Sequence, residues 1–184
     1  MQLFYNSTID KNTLQITFDK IESRHIVKVL RKKEGDAIYI TNGKGQVFNC
    51  KITIANDKKC LVSILSKEEK KQFKDYYLHV AIAPTKNNDR LEWFIEKATE
   101  IGIDEITPII CQNSERKIIK KERLEKIIVA AMKQSLKFYL PKLNEAVSFS
   151  EFLKKKQKGN IYIAHCEESE KKYLKSVSMI KIKQ

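Results

Sequence analysis

Six basic or imidazole side chains crowd ten residues near the N-terminus: Arg24, His25, Lys28, Arg31, Lys32 and Lys33. Cations at such intervals along one short element can grip successive phosphates of a polyanion. A sparser set is Lys86, Arg90 and Lys97, of which Arg90 and Lys97 share one helical face. Other chemistries have less to work with. Cys50, Cys60, Cys111 and Cys166 are far apart with no C-x-x-C pair, and His25, His79 and His165 do not flank them at zinc-ligand spacing. No catalytic cysteine or nucleophile–base triad stands out. Beside each cation stands the plain reading of a solvated helix face, and beside His25 that of a packed, hydrogen-bonded ring.

The charge balance supports a polyanion partner. Lys and Arg number 36 against 23 Asp and Glu, a net +13 with an isoelectric point near 9.5. Residues 1–74 hold 15 basic and 8 acidic side chains, and residues 75–184 hold 21 and 15. An excess spread over both halves fits an extended binding surface better than a basic tail. A merely Lys-rich composition is the competing reading. With 42% hydrophobic and 32% charged residues over 184 positions, the chain is globular: one large domain or two small ones. The opening Met1-Gln2-Leu3-Phe4-Tyr5-Asn6 lacks a signal-peptide pattern, and no apolar run approaches the roughly 18 residues of a membrane span. Free thiols and the absence of such signals lead us to expect a cytoplasmic protein.

The elements that must position these side chains fall into two patterns. Gln15–Phe18, Ala37–Thr41, Gln46–Ile54 and Cys60–Leu65 read as short strands, with a hairpin turn at Asn42-Gly43-Lys44-Gly45 and a turn at Asn56-Asp57. Ile21–Leu30 suits a short helix that carries the first cation set. Several strands and one helix in this length suggest a small, mostly antiparallel barrel. The charged run 66–75 reads as a linker, with domains at 1–70 and 71–184. Beyond it strand and helix alternate: strand Tyr77–Ala83, a helix capped by Asp89 with Glu92 completing a capping box and ended by Gly102, strand Glu105–Ile110, helix Glu122–Leu136 and strand Asn160–Ala164. That order implies a parallel sheet with crossover helices, hence an α+β barrel followed by an α/β domain. Trp93 and Phe94 are adjacent, so both cannot face the core; Trp93 is expected at its edge. His165 stands at a strand end, where ligands bind in such sheets, and is a candidate lip of a cofactor pocket. The basic stretch Lys154–Lys158 reads as a plain loop.

Four segments together resemble the RsmE family. They are His25-Ile-Val-Lys-Val-Leu-Arg31 with Gly35-Asp36; Asn42-Gly43 through Val47-Phe48; Lys86 and Arg90-Leu-Glu-Trp-Phe-Ile-Glu-Lys97-Ala-Thr-Glu100-Ile-Gly102 with Ile106-Thr-Pro108 and Ser114-Glu115-Arg116; and Ala130-Ala-Met-Lys133-Gln134-Ser135-Leu-Lys137 with Leu140-Pro141. Their order and spacing over residues 1–145 carry the match. Three positions depart from the family pattern: Asn42 replaces an Asp, and Lys133 and Lys137 replace a Glu and an Arg. The resemblance implies a PUA-like RNA-binding barrel, then a SPOUT-type knotted methyltransferase domain. It implies S-adenosylmethionine-dependent methylation of N3 of a uridine in 16S rRNA of the small ribosomal subunit, by a homodimer joined through the C-terminal domain. It makes Arg24, His25, Lys28, Arg31, Lys32, Lys33, Lys86, Arg90 and Lys97 candidate RNA contacts, and puts Gln134 and Ser135 near the cofactor site or dimer seam. The family's Gly-Pro-Glu-Gly-Gly-like loop and Leu-Gly-x-x-Ile-Leu-Arg segment would follow residue 184. The chain is therefore expected to stop short of a complete cofactor pocket and, taken alone, to be inactive. An RNA-binding module without chemistry and an unrelated basic α/β protein stay open beside the enzyme.

Overall fold

The computed structural model describes residues 2–72, 74–155, 159–164, 168, 171–173 and 176. Its first part is a curled five-stranded sheet in the order β1-β3-β4-β5-β2: β1 is Leu3–Tyr5, β2 Gln15–Thr17, β3 Ala37–Thr41, β4 Gln46–Ile54 and β5 Leu61–Glu69. All neighbours are antiparallel except β1 and β3. Alternation along β3 and β4 sends Ile38, Ile40, Phe48, Cys50 and Ile52 into one core. Helix α1, Lys20–Arg24, and a π-helical turn over His25–Val29 pack on that core through Ile26. The residues 66–75 are not one linker. β5 continues through Glu69 because Gln46, Val47, Phe48 and Asn49 offer it partners up to Glu69; charge on an edge face is no bar to pairing.

The second part is a parallel sheet, β6-β7-β8, with β6 His79–Ile82, β7 Glu105–Ile110 and β8 Lys142–Leu143; β9, Val147–Ser148, pairs further along the same β7. Helices α2, Asn88–Ile101, and α3, Lys121–Gln134, cover one face, where Leu91, Ile95, Ile106, Leu124, Ile128 and Leu143 form a second core. Arg123 and Glu92 join the two helices through a contact of 2.7 Å. This pairing uses the Glu92 expected in a capping box at Asp89. The cap is instead Asn87, whose side chain accepts from the Asp89 amide at 2.9 Å. Gly102 ends α2 in the left-handed region at φ 104°. Helix α4, Phe149–Lys154, opens on a capping box of Ser148 and Glu151. The strand expected at 160–164 is absent: these residues are exposed and carry no regular structure. Their apolar run lacks a neighbouring strand to pair with among the described residues, and two-residue β8 and β9 take the edge of β7.

The two sheets meet where residues 138–140 lie along the tip of the β3–β4 hairpin. Gly45 N donates to Phe138 O at 2.8 Å, and Leu140 N donates to Gly43 O at 2.8 Å. The segment between the sheets is held down too. The Lys74 ammonium rests on the Asp104 carboxylate, which also accepts from Leu78 N at 2.6 Å.

Candidate nucleic-acid interface

The first cation set is built on a well-anchored element. Asp19 caps α1 by accepting from Glu22 N at 2.8 Å. Ser23 is buried; its hydroxyl donates to Phe18 O and accepts from Cys60 N at 2.8 Å, tying the helix to the sheet. Ile26 fills the core beneath. With Ser23 and Ile26 turned inward, Arg24 and Lys28 are turned out, and both are exposed. The π turn closes with Leu30 N donating to His25 O, and Lys32 N then reaches back to Ile26 O at 3.0 Å.

Between those two bonds stands Arg31, at φ 54°. This is the position that commonly falls to glycine after a helix, since a Cβ in the left-handed region costs about 1–2 kcal/mol. Asp36 braces the exit by accepting from Lys33 N at 2.9 Å. Val27, Arg31, Lys32, Lys33, Glu34 and Ala55 then line one open groove. Within it, Arg31 and Lys33 are exposed and Lys32 is half-buried. Lys28 lies 3.8 Å from Asp57, a loose, solvated pairing. His25 stands between the Phe4 ring, 6.1 Å away, and Glu22, whose Oε2 is 3.6 Å from Nδ1.

The second cation set sits on the other sheet, at and along α2. Lys86 is 3.0 Å from Glu115, and its carbonyl accepts from Arg116. Lys97 is held by Glu96 at 2.8 Å and Glu100 at 3.1 Å, whose hydrogen bonds raise its pKa above the ordinary lysine value. Arg90 is exposed. Trp93, expected at the core edge, is 63% exposed: Leu91 and Ile95 take the inward face, and Trp93 falls opposite them. The α1 set and the α2 set stand apart, each paired with acids of its own neighbourhood.

The Lys133 ammonium makes a contact that the sequence does not announce. It lies 2.7 Å from Glu22 Oε1 and 5.5 Å above the Phe4 ring, so it couples the C-terminal turn of α3 to α1. The departure at Lys133 is visible in sequence; its acidic partner in α1 is not, because 111 positions separate the two. Gln134 is exposed beside this contact. His165 lies outside the described residues.

The face of the parallel sheet opposite α2 and α3 is polar, and α4 meets it where the Phe152 ring stands edge-on to His79, 5.8 Å between centroids. Glu105 accepts from Asn144 at 2.6 Å, Tyr77 at 2.7 Å and Lys142 at 3.0 Å. Asn144 also meets Thr107, which meets His79 Nε2 at 2.7 Å. Burial pushes the Glu105 carboxyl up, but these three donors outweigh it and bring it down to about 2. Burial and the Glu105 carboxylate push the Tyr77 phenol up to about 12, and burial lowers His79. Burial likewise drives the Cys50 thiol up to about 12, so it is not a nucleophile.

A model of the RNA methyltransferase PUA domain matches residues 18–65, and one of the RNA methyltransferase domain matches residues 53–184. A ribosomal RNA small subunit methyltransferase E of Rickettsia conorii is 30% identical over 182 residues, 97% of this chain and 72% of its own. The chain belongs to the ribosomal RNA small subunit methyltransferase E family. The Bacillus subtilis member is also 30% identical, over 86% of this chain, which spans 63% of that member's length. The crystal structure of a probable rRNA-methyltransferase from Porphyromonas gingivalis superposes with a TM-score of 0.80 at 36% identity, covering 90% of this chain and 70% of that one. Membership agrees with the fold: a curled sheet like the PUA domain, then a parallel sheet. In family terms the braced turn at Arg31 belongs to the PUA-side match, and α2, α3 and Lys133 to the methyltransferase-side match. Near the carboxyl ends of β7 and β8 lies a cleft of about 260 Å³, lined by Pro108, Ile118, Lys121, Leu124, Asn144 and Glu145 among others.

Proposed function

We propose that the whole protein methylates N3 of a uridine in 16S rRNA of the small ribosomal subunit, with S-adenosylmethionine as donor. Family membership supports methylation of ribosomal RNA, and the resemblance of the four sequence segments supports the uridine N3 position. The observation that carries the RNA side is the turn at Arg31: a strained, braced, exposed cation between two further cations. Backbone strain that the surrounding hydrogen bonds hold in place is typical of functional sites.

Uridine N3 carries a proton and pairs with other bases. The base must be exposed, the proton must leave, and N3 must line up with the donated methyl. A cation near the base stabilises the developing uridinate. No covalent nucleophile is needed, which agrees with the buried Cys50 and Cys60. In this chain Arg24, Lys28, Arg31, Lys32 and Lys33 hold phosphates, His25 flanks them, and Lys86, Arg90 and Lys97 offer contacts from α2. Bound S-adenosylmethionine supplies an electrophilic methyl on a sulfonium. The described residues do not enclose it: the cleft beside β8 is smaller than the roughly 300 Å³ where ligand sites begin, and no glycine lines it to let a backbone approach. The part we assign to the described residues is to bind and orient RNA.

The reading includes a homodimer joined through the C-terminal half, a cytoplasmic location, and a domain boundary near residue 70. An RNA-binding module without chemistry is the second reading, favoured by the cleft's small size. Mass spectrometry of 16S rRNA incubated as small subunits with the whole protein and S-adenosylmethionine decides. N3-methyluridine is expected; methylation at another atom, or none, would reject the proposal.

A further inference from the structure

We propose that the tip of the β3–β4 hairpin and the segment Phe138–Leu140 form a clamp, with Gly45 and Tyr139 as positioning residues, that fixes the RNA-gripping sheet against the methyltransferase sheet so that both read one RNA in a single geometry. The consequence for RNA rests on the proposed function; the clamp itself rests on the contacts between the two sheets.

Beyond the two backbone bonds at Gly43 and Gly45, Tyr139 pairs with Lys44 as an antiparallel bridge, so residues 138–140 act as a short extra strand on the hairpin. The Tyr139 hydroxyl donates to Lys70 O at 2.9 Å, across to the far end of β5. Thr41 Oγ1 reaches Phe138 O at 3.4 Å. The fit requires glycine twice. Gly45 has φ 86°, and a Cβ there would land on the ring and hydroxyl of Tyr139; at Gly43, φ 71°, it would come within 2.9 Å of Leu140 Cβ. Turn geometry alone explains a positive φ. It does not explain why one tripeptide from the other sheet fills the space above Gly45 and, together with Tyr5, that above Gly43. Lys133 on Glu22 adds a second tie, from α3 to the cation-bearing helix itself. Two ties at separate points stop the sheets from pivoting on either one. Two gripping surfaces held at the right separation bind as one event rather than two.

The experiment uses the full 184-residue chain and the variants Gly45→Ala, Tyr139→Ala and Tyr139→Phe. Trp93 is the sole tryptophan and lies in α2, so its fluorescence follows unfolding of the second sheet. Hydrogen exchange of β3 and β4 amides follows the first. Binding is measured by anisotropy of a fluorescein-labelled RNA hairpin with unpaired uridines, over a salt series well below the unfolding midpoint. In the wild-type chain the two probes are expected to coincide. In Gly45→Ala and Tyr139→Ala they should separate, and RNA affinity should fall by about tenfold with an unchanged salt slope, since orientation is lost but no phosphate contact. Tyr139→Phe keeps the ring and should stay near wild type. Tyr139→Ala serves if Gly45→Ala does not fold. Coincident transitions with unchanged affinity in a folded variant would overturn the clamp. Separated transitions with unchanged affinity would overturn its role in RNA binding. A wild-type chain that binds no RNA would reject the functional reading, and the positioning role with it, while the unfolding arm would still judge the clamp.

Discussion

Arg31 combines two opposed demands at one residue. Its left-handed backbone favours glycine, while its side chain belongs to the cation cluster. Arg31→Gly should therefore raise stability by up to about 1 kcal/mol and weaken RNA binding, flattening the plot of log K against log salt by up to about one unit. Chemical denaturation and a salt-titrated binding isotherm test the two signs; a stabilised variant with unaltered affinity and slope would place the RNA elsewhere. Glu105 makes a second prediction at this scale. Its folded pKa, about 2, lies below its ordinary 4.5. A depressed carboxylate adds stability above its unfolded pKa and loses it as pH falls toward the folded one. Between about pH 5 and pH 2 the wild-type chain should lose on the order of 2 kcal/mol through this group, less whatever solvent screening removes. Glu105→Gln should flatten that part of the stability curve, read from urea midpoints against pH. A parallel decline in both proteins would assign the acid sensitivity to other carboxylates.

Elements were legible in sequence to the extent that periodicity carried them. Ala37–Thr41, Gln46–Ile54 and Glu105–Ile110 are strands with the expected limits, because each has alternating or continuous apolar residues bounded by turn formers. β8 and β9, two residues apiece, are too short to carry a period; they exist because β7 offers an edge. The apolar run at 160–164 shows the reverse, a strand-like composition that pairs with no strand among the described residues. Adjacency of Trp93 and Phe94 showed that one must face away, but the expectation of Trp93 at the core edge failed, because Leu91 and Ile95 take the inward face. The cation cluster could be read from residue types, but not the strain at Arg31 or the Lys133–Glu22 tie, which depend on hydrogen bonding and on distant chain contacts. Helix α2 offers a direct check of capping. Asn87→Ala should cost about 1 kcal/mol, whereas Asp89→Ala should cost only a few tenths through the helix dipole. Thermal unfolding of both variants compares them, and a larger loss at Asp89 would restore the capping box to that residue.

At the scale of the whole molecule, charge and shape separate the two tasks of the family. The net +13 is spread over both halves of the chain, and the clamp holds the two sheets together. The cleft at β7 and β8, by contrast, is small and unlined by glycine. Calorimetry on the 184-residue chain should give at most weak S-adenosylmethionine binding, in the range of a millimolar dissociation constant or above, about 4 kcal/mol. Micromolar binding would show that residues 1–184 already hold a pocket. The π turn at His25–Val29 bears on the proposed RNA groove in another way. A π turn is a helix that has absorbed one extra residue, and each residue rotates a helix by about 100°. The wide turn thus sets the phase between Ser23 and Ile26, which face the core before and at its start, and Arg31, which follows it. Deleting one residue there would leave a smoother helix with a mis-phased surface, and the groove at Arg31 would turn with it. The proposed grip on RNA is in that sense a matter of angular register, set by one wide turn.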